Sequence, residues 1–312
     1  MNIRPYHLPG TLQAYLPDKL APVDRWLQAA NASNAQTTVA IIQDLVSGPI
    51  VAVLDPFAGA GSSAAAARIM SLPFLGIELD PVLVCACLAK TFSEERHAKW
   101  LAQCGPIESL DEVTGILPTI VQDSGPEDVL IVACLALIKL QRARTEKLVP
   151  LSAEEMISDL ALAPRPRSGG RVIWGDSRDP ASWTALRPPP GRVVIYTSPP
   201  FGSTSPRLAR PAEIEMAAEK ILVAGGVATT TSGPGKFPEY ERSVAHMVRQ
   251  ARSVLESATL IIEHEPSDDG SDSRILVAER LESEFKNVKD IRILENKKFS
   301  ERGPISFIVC EW

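Results

Sequence analysis

Residues 53–61 read Val-Leu-Asp-Pro-Phe-Ala-Gly-Ala-Gly, and this stretch decides the fold. The apolar residues before Asp55 predict a strand over Ile50–Leu54. The glycines then predict a turn in which the backbone bends tightly and a ligand can approach without a Cβ in the way. Ser62–Met70 follows as a helix of small residues, able to pack closely on a sheet. Phe74–Glu78 reads as a second strand ending in a carboxylate, and Pro81–Phe92 as the next helix. Strand, turn, helix, strand, with an acidic residue about twenty positions after the turn, is the plan of a doubly wound nucleotide-binding half.

The turn lacks the third glycine of the dinucleotide fingerprint, and no Gly-Lys-Ser/Thr cradle is present. A ligand with a ribose but no pyrophosphate fits it better, and S-adenosylmethionine is one. On this reading Asp55, Pro56, Phe57, Ala58, Gly59 and Gly61 form the cofactor loop. Glu78, with Leu79 beside it, takes both ribose hydroxyls through charge-assisted hydrogen bonds, and Asp55 lies near the methionine amine. Asp176 follows the strand Arg171–Trp174, where a carboxylate can accept from an adenine amino group; a plain turn aspartate is the competing reading.

Residues 195–201, Ile-Tyr-Thr-Ser-Pro-Pro-Phe, form the second informative stretch. The strand Arg192–Thr197 ends in two prolines, which lack N–H donors and fix φ. The Ser198 side chain and the Pro199 carbonyl can then accept from one exocyclic NH₂, drawing its nitrogen toward tetrahedral geometry. Pro200 holds the turn, and Phe201 stacks on a ring taken out of its helix. The competing reading is a proline-terminated core strand.

Together the two stretches resemble the cofactor-binding and catalytic motifs of the S-adenosylmethionine-dependent DNA amino-methyltransferases, and Ser198-Pro-Pro-Phe201 is similar to the cytosine-N4 form. Adenine-N6 relatives usually carry Asp or Asn in place of Ser198. Tyr6-His7-Leu8-Pro9-Gly10, with Asp24–Leu27, resembles the segment that packs over the methionine end of the cofactor, which adds His7 to the cofactor-binding residues. The resemblance covers residues 5–92 and 171–312. It implies a doubly wound, mostly parallel, seven-stranded class I methyltransferase sheet of α/β class with an antiparallel C-terminal strand. It also implies DNA as partner and a methyl group moved to cytosine N4, as in restriction-modification. Methylation of RNA, a peptide or a small metabolite stays open, as does a non-catalytic cofactor-binding regulatory subunit. A cytosine-C5 mechanism needs a thiolate nucleophile, and no cysteine follows a proline anywhere in the chain.

Three segments follow: residues 1–92, the N-terminal segment and cofactor half; 93–168, a helical insertion; and 169–312, the catalytic half. Within the insertion, apolar residues recur at helical spacing over Glu127–Lys147 and Ala153–Leu162, and an oligomer contact through this part is open. Further helices are expected at Val23–Ala30, Thr37–Val46, Pro211–Leu222, Glu239–Leu255 and Arg274–Phe285. Strands are expected at Ala258–His264, Asp290–Glu295 and Ile305–Trp312.

At 312 residues and 45% hydrophobic content the chain can bury a large core. The net charge of −6 argues against a wide nucleic-acid footprint, since phosphate neutralisation supplies much of the affinity for such partners. Arg207 and Arg210, beyond the catalytic loop, are placed to meet a polyanion. Lys139 and Arg142 share one helical stretch and could do the same, although an exposed solvated face is the plainer reading. The five cysteines form no Cys-x-x-Cys pair, so reduced thiols in a cytoplasmic protein and no metal site are expected. The longest apolar run, Val129–Leu140, is too short to span a bilayer.

Overall fold

Strands that are apolar at nearly every position belong in a sheet covered on both faces. The computed structural model, which describes residues 3–6, 22–27, 34–104, 125–144, 151–199, 212–230, 240–264, 273–286, 288–296 and 305–312, has such a sheet. In chain order the elements are β1 (Ile3–Pro5), α1 (Ala35–Leu45), β2 (Ala52–Asp55), α2 (Ser62–Ile69), β3 (Phe74–Glu78) and α3 (Pro81–Phe92). Then come α4 (Glu95–Gln103), α5 (Pro126–Arg144), α6 (Ala153–Leu162), β4 (Arg171–Gly175), α7 (Pro180–Leu186) and β5 (Arg192–Thr197). The last are α8 (Ala212–Ala224), β6 (Thr229–Thr230), α9 (Tyr240–Val254), β7 (Ser257–His264), α10 (Ser273–Glu284), β8 (Lys289–Asn296) and β9 (Ile305–Glu311).

Nine strands form one sheet in the order β1-β8-β9-β7-β5-β2-β3-β4-β6. Every neighbouring pair is parallel except β9, which runs antiparallel to both β7 and β8. This is the doubly wound, mostly parallel sheet expected, with two strands more than the seven anticipated. The additions, β1 and β6, are three and two residues long and sit at the two edges. Segments this short carry no readable alternation, which is why the sequence does not show them. The helix expected over Val23–Ala30 is only a single 3-10 turn, Asp24–Trp26, among the described residues.

Side chains alternate across each strand. Val53, Val194 and Ile261 face a core shared with α1, α2, α3, α5 and α8. Leu54, Ile195, Leu260 and Ile262 face a second core built with α7, α9 and α10. Helix α5 is apolar on nearly all sides and lies inside the first core, packed against α3, α4 and α8. The apolar surface of α5 is therefore buried within the chain.

Caps set the helix starts. Asp80 accepts from Val82 N and Leu83 N with Pro81 at the first position of α3, and Asp179 accepts from Ala181 N with Pro180 opening α7. The segment around the 3-10 turn is held by buried charge. Lys90 Nζ donates to the Asp24 and Leu27 carbonyl oxygens at 2.9 and 2.7 Å and lies 3.3 Å from Asp24 Oδ1, with both side chains fully buried. Asp159 on α6 accepts from Arg25 and from Trp26 Nε1. Among the described residues, no helix is long and apolar enough to cross a membrane.

Candidate functional site

Parallel strands bring their C-terminal ends to one edge of a sheet, and a crevice opens there where the strand order reverses. The chain runs outward from β2 through β3 to β4, then returns to β5 on the other side of β2, so the reversal lies between β2 and β5. The two informative stretches meet at this point. Thr197 Oγ1 donates to Asp55 Oδ1 at 2.7 Å across 142 positions of sequence.

Asp55 is buried and has two further donors, Ser63 Oγ at 2.6 Å and Phe57 N at 3.0 Å. Burial raises its pKa from the ordinary value, and the Ser63, Thr197 and Phe57 donors pull the other way. Its carboxylate thus ties the loop, the start of α2 and the tip of β5 together. The contact with a methionine amine expected for Asp55 would come on top of this bracing work.

Pro56, Phe57, Ala58, Gly59 and Gly61 make the turn between β2 and α2. Gly59 has φ 52° and Gly61 φ 81°, the left-handed region that favours glycine. A Cβ on Gly61 would stand 3.1 Å from Cys87 Cα and 3.2 Å from its Sγ, so α3 closes on the turn from behind. Gly61→Ala is expected to destabilise the fold by about 1–2 kcal/mol, through left-handed strain and this contact, as urea denaturation would show. An unchanged midpoint would contradict the geometry. Ser62 Oγ is buried beside the turn with no hydrogen-bond partner among the described residues.

Glu78 stands at the tip of β3, next to β2. It accepts from Gly59 N at 2.7 Å, Leu79 N at 2.9 Å and Asp80 N at 2.8 Å, so it fixes the turn of the neighbouring strand as well as its own. Burial pushes its carboxyl up to about 7, reinforced by the Asp80 charge and opposed by the three N–H donors. Leu79 follows, its carbonyl accepting from Trp174 Nε1 at 3.1 Å, which ties the β3 tip to β4.

Asp176 is buried at the tip of β4, but its carboxylate faces its own chain. Arg178 donates to it from the backbone N at 2.8 Å and from Nε at 2.9 and 3.0 Å, with its Nη2 at 2.5 Å. Burial works to raise its pKa, and the Arg178 bonds and charge outweigh that, leaving it below the ordinary value. An adenine amino group would have to compete with this guanidinium. Both the turn-aspartate and the adenine-acceptor reading of Asp176 stay open, with Arg178 already bonded to the carboxylate.

Beyond β5, Ser198 is half-buried and Pro199 buried at the tip. Pro200, Phe201, Arg207, Arg210 and His7 lie outside the described residues, as does the side chain of Arg142. Lys139 is half-buried on α5. The N-terminal segment is described as far as Tyr6, which docks at the far end of the sheet. Its N donates to the Glu295 carbonyl and its hydroxyl to Asp44 Oδ2, both at 2.8 Å.

Sequence reasoning missed Thr197 and Ser63 as partners of Asp55. It also missed the buried pair at the β5–β7 tips, where Tyr196 Oη donates to Glu263 Oε2 at 2.7 Å. A hydroxyl residue just before the Ser-Pro-Pro turn was the available signal for Thr197.

No family model matches the chain, and no curated protein matches it either. Among solved structures it is similar to the rRNA methyltransferase aviRa from Streptomyces viridochromogenes, with 14% identity over 92% of this chain and 89% of that one and a TM-score of 0.38. The delta-N METTL16 MTase domain gives 10% identity, coverages of 88% and 80%, and a TM-score of 0.37. A human methyltransferase 10 domain containing protein gives 11%, the same coverages, and 0.33. Likenesses this distant say nothing of activity or substrate.

Proposed function

We propose that the chain binds S-adenosylmethionine at the tips of β2 and β3 and transfers its methyl group to an exocyclic amine held at the tip of β5, cytosine N4 in DNA. The observation that carries this reading is the Thr197–Asp55 hydrogen bond, which joins the glycine turn to the Ser-Pro-Pro strand end at the switch point. The residues present suit the cofactor. At Gly59 a Cβ would meet nothing closer than 3.8 Å, so the approach to that backbone is open. Ser62 Oγ is buried beside the turn with no partner among the described residues, and Glu78 offers its carboxylate on the adjoining tip.

The cofactor supplies an electrophilic methyl group; everything else is positioning, which can account for a large part of such a barrier. Ser198 Oγ and the Pro199 carbonyl accept from the two N–H bonds of the target amine and direct its lone pair outward. The nitrogen gains a methyl group and releases one proton to solvent, so no covalent enzyme intermediate is needed. The rigid φ of the two prolines keeps the acceptors in place while this happens.

Glu78 gives the site a pH signature. Its folded pKa of about 7 lies above the ordinary 4.5, so the folded protein holds a proton there that the unfolded chain has lost. Its contribution to fold stability therefore falls as pH rises from about 4.5 to 7. Ribose hydroxyls donate to the ionised form, so cofactor affinity should rise with pH up to the same value and level off above it. The rise is at most about tenfold per pH unit for one proton released. Titration calorimetry in buffers of different ionisation enthalpy measures this, and Glu78→Gln should flatten the profile. A wild-type profile already flat from pH 6 to 8 would remove Glu78 from the ribose contact.

The acidic net charge of −6 favours a second reading, RNA, which can be gripped over a short unpaired stretch. Mass spectrometry of nucleosides after incubation of each nucleic acid with methyl-labelled cofactor separates the two. Label in N4-methyldeoxycytidine is expected. Label only in ribonucleosides moves the substrate to RNA, and label only in N6-methyladenine changes the base and leaves the amine clamp standing.

A further inference from the structure

The turn after β4, α9 and α10 enclose a cleft of about 300 Å³ whose charge is opposite to that of the molecule. Among the described residues its lining holds four guanidinium groups, Arg178, Arg242, Arg249 and Arg280, with His246 and a single carboxylate, Glu284. The whole chain carries 38 acidic and 32 basic residues, so this concentration of arginine is not a reflection of composition. Arg242, His246 and Arg249 recur at the i, i+4, i+7 spacing of one face of α9. His246 Nε2 lies 2.9 Å from the Arg178 carbonyl oxygen, which anchors that face to the β4 tip. Glu284 is shared, Arg249 Nη2 donating to one carboxylate oxygen at 2.5 Å and Arg280 Nε to the other. One carboxylate thus serves two guanidiniums, while Arg178 is matched by Asp176 behind it.

Arginine forks match phosphate oxygens in pairs, and this cleft brings four of them together within reach of solvent. The volume is at the lower end of sites that hold a ligand the size of one nucleotide. The row from Arg242 to Arg249 rises about 10 Å along α9, enough for more than one phosphate of a chain spaced at about 3.4 Å of axial rise per nucleotide. The cleft starts beside Asp176, at the same edge of the sheet as the tips of β2, β3 and β5.

We propose that this cleft is a backbone subsite, in which phosphodiester groups of the nucleic-acid substrate lie against Arg242, Arg249 and Arg280 while the target base reaches the β5 tip. The proposal rests on the nucleic-acid reading of the function. It explains how an acidic protein grips a polyanion, by confining the positive charge to one cleft.

The test is fluorescence anisotropy of labelled oligonucleotides, a DNA duplex and an RNA of the same sequence, titrated between about 50 and 200 mM salt. For Arg242→Gln/Arg249→Gln we expect roughly tenfold weaker binding and a log K against log salt slope smaller by about 1–2. S-adenosylmethionine affinity should be unchanged in this variant, which also reports an intact fold. Glu284→Gln frees two guanidiniums and is expected to tighten binding and steepen the slope by about 1, a change that misfolding cannot produce. The arm that binds, DNA or RNA, names the source of the phosphate. Equal affinity and slope in wild type and the double arginine variant would overturn the subsite and leave the nucleic-acid reading in place. Competition by inorganic pyrophosphate at the oligonucleotide's own Kd would overturn it in favour of a small-anion site. A wild-type protein that binds neither oligonucleotide would remove both the subsite and the reading beneath it.

Discussion

Asp24→Ala should lower the unfolding free energy by about 3–5 kcal/mol, the usual consequence of leaving one member of a buried ion pair without its partner. Lys90 and Asp24 are both fully buried, and Asp24 Oδ2 also accepts from Ala35 N at 2.8 Å, so this one carboxylate joins the start of α1 to α3. In the variant the Lys90 ammonium keeps backbone carbonyls and loses its countercharge. The midpoint of thermal unfolding should fall by roughly 6–15 °C. Adding Lys90→Met removes the stranded charge, so the double variant should be less destabilised than the two single changes added together. Strict additivity, or a loss below about 1 kcal/mol for Asp24→Ala, would show that the pair is not coupled as its geometry implies.

Asp55→Ala comes next in size and bears on function. It takes the acceptor from Thr197 Oγ1, Ser63 Oγ and Phe57 N at once. Each buried donor left unsatisfied costs about 1–3 kcal/mol, so a loss of about 3 kcal/mol or more is expected in urea denaturation. Asp55→Asn leaves an oxygen for Thr197 Oγ1 and Phe57 N and puts an NH₂ where the other carboxylate oxygen stood, to which the Ser63 hydroxyl can turn as acceptor. It should therefore lose only about 1 kcal/mol of stability. Comparing cofactor binding in the two variants separates bracing from contact. If Asp55→Asn keeps the wild-type affinity, the aspartate acts by holding the loop on β5. If that affinity falls while stability holds, its charge meets the methionine amine directly.

The parts of the fold that could be read in the sequence are those with local causes. The long apolar strands and the Asp80-Pro81 helix start appear where expected, because burial on both faces and capping leave marks within a few residues. The Asp179-Pro180 pair carries the same cap signal for α7, a helix absent from the expected elements. Helix α4 is capped by Glu94 and His97, a pairing that departs from the usual serine or threonine box. The contacts that assemble the site are of another kind. The Thr197–Asp55 bond joins positions 142 apart, so the hydroxyl before the Ser-Pro-Pro turn does not say which carboxylate it meets. Lys90 did give a sign, as the only charged residue in an otherwise apolar helix, Pro81–Phe92, where a buried partner is the natural explanation. The Arg178 bond to Asp176 and the cleft that the arginines of α9 share with α10 and the β4 turn are set by packing between elements, which local sequence does not carry.

Equilibrium binding of S-adenosylmethionine to the wild-type chain and to Glu78→Ala tests the central claim most directly. The account predicts one site per chain, weakened in the variant by about 1.5–3 kcal/mol, roughly ten- to 150-fold. No binding to the wild type, or equal affinity in the two proteins, would contradict it.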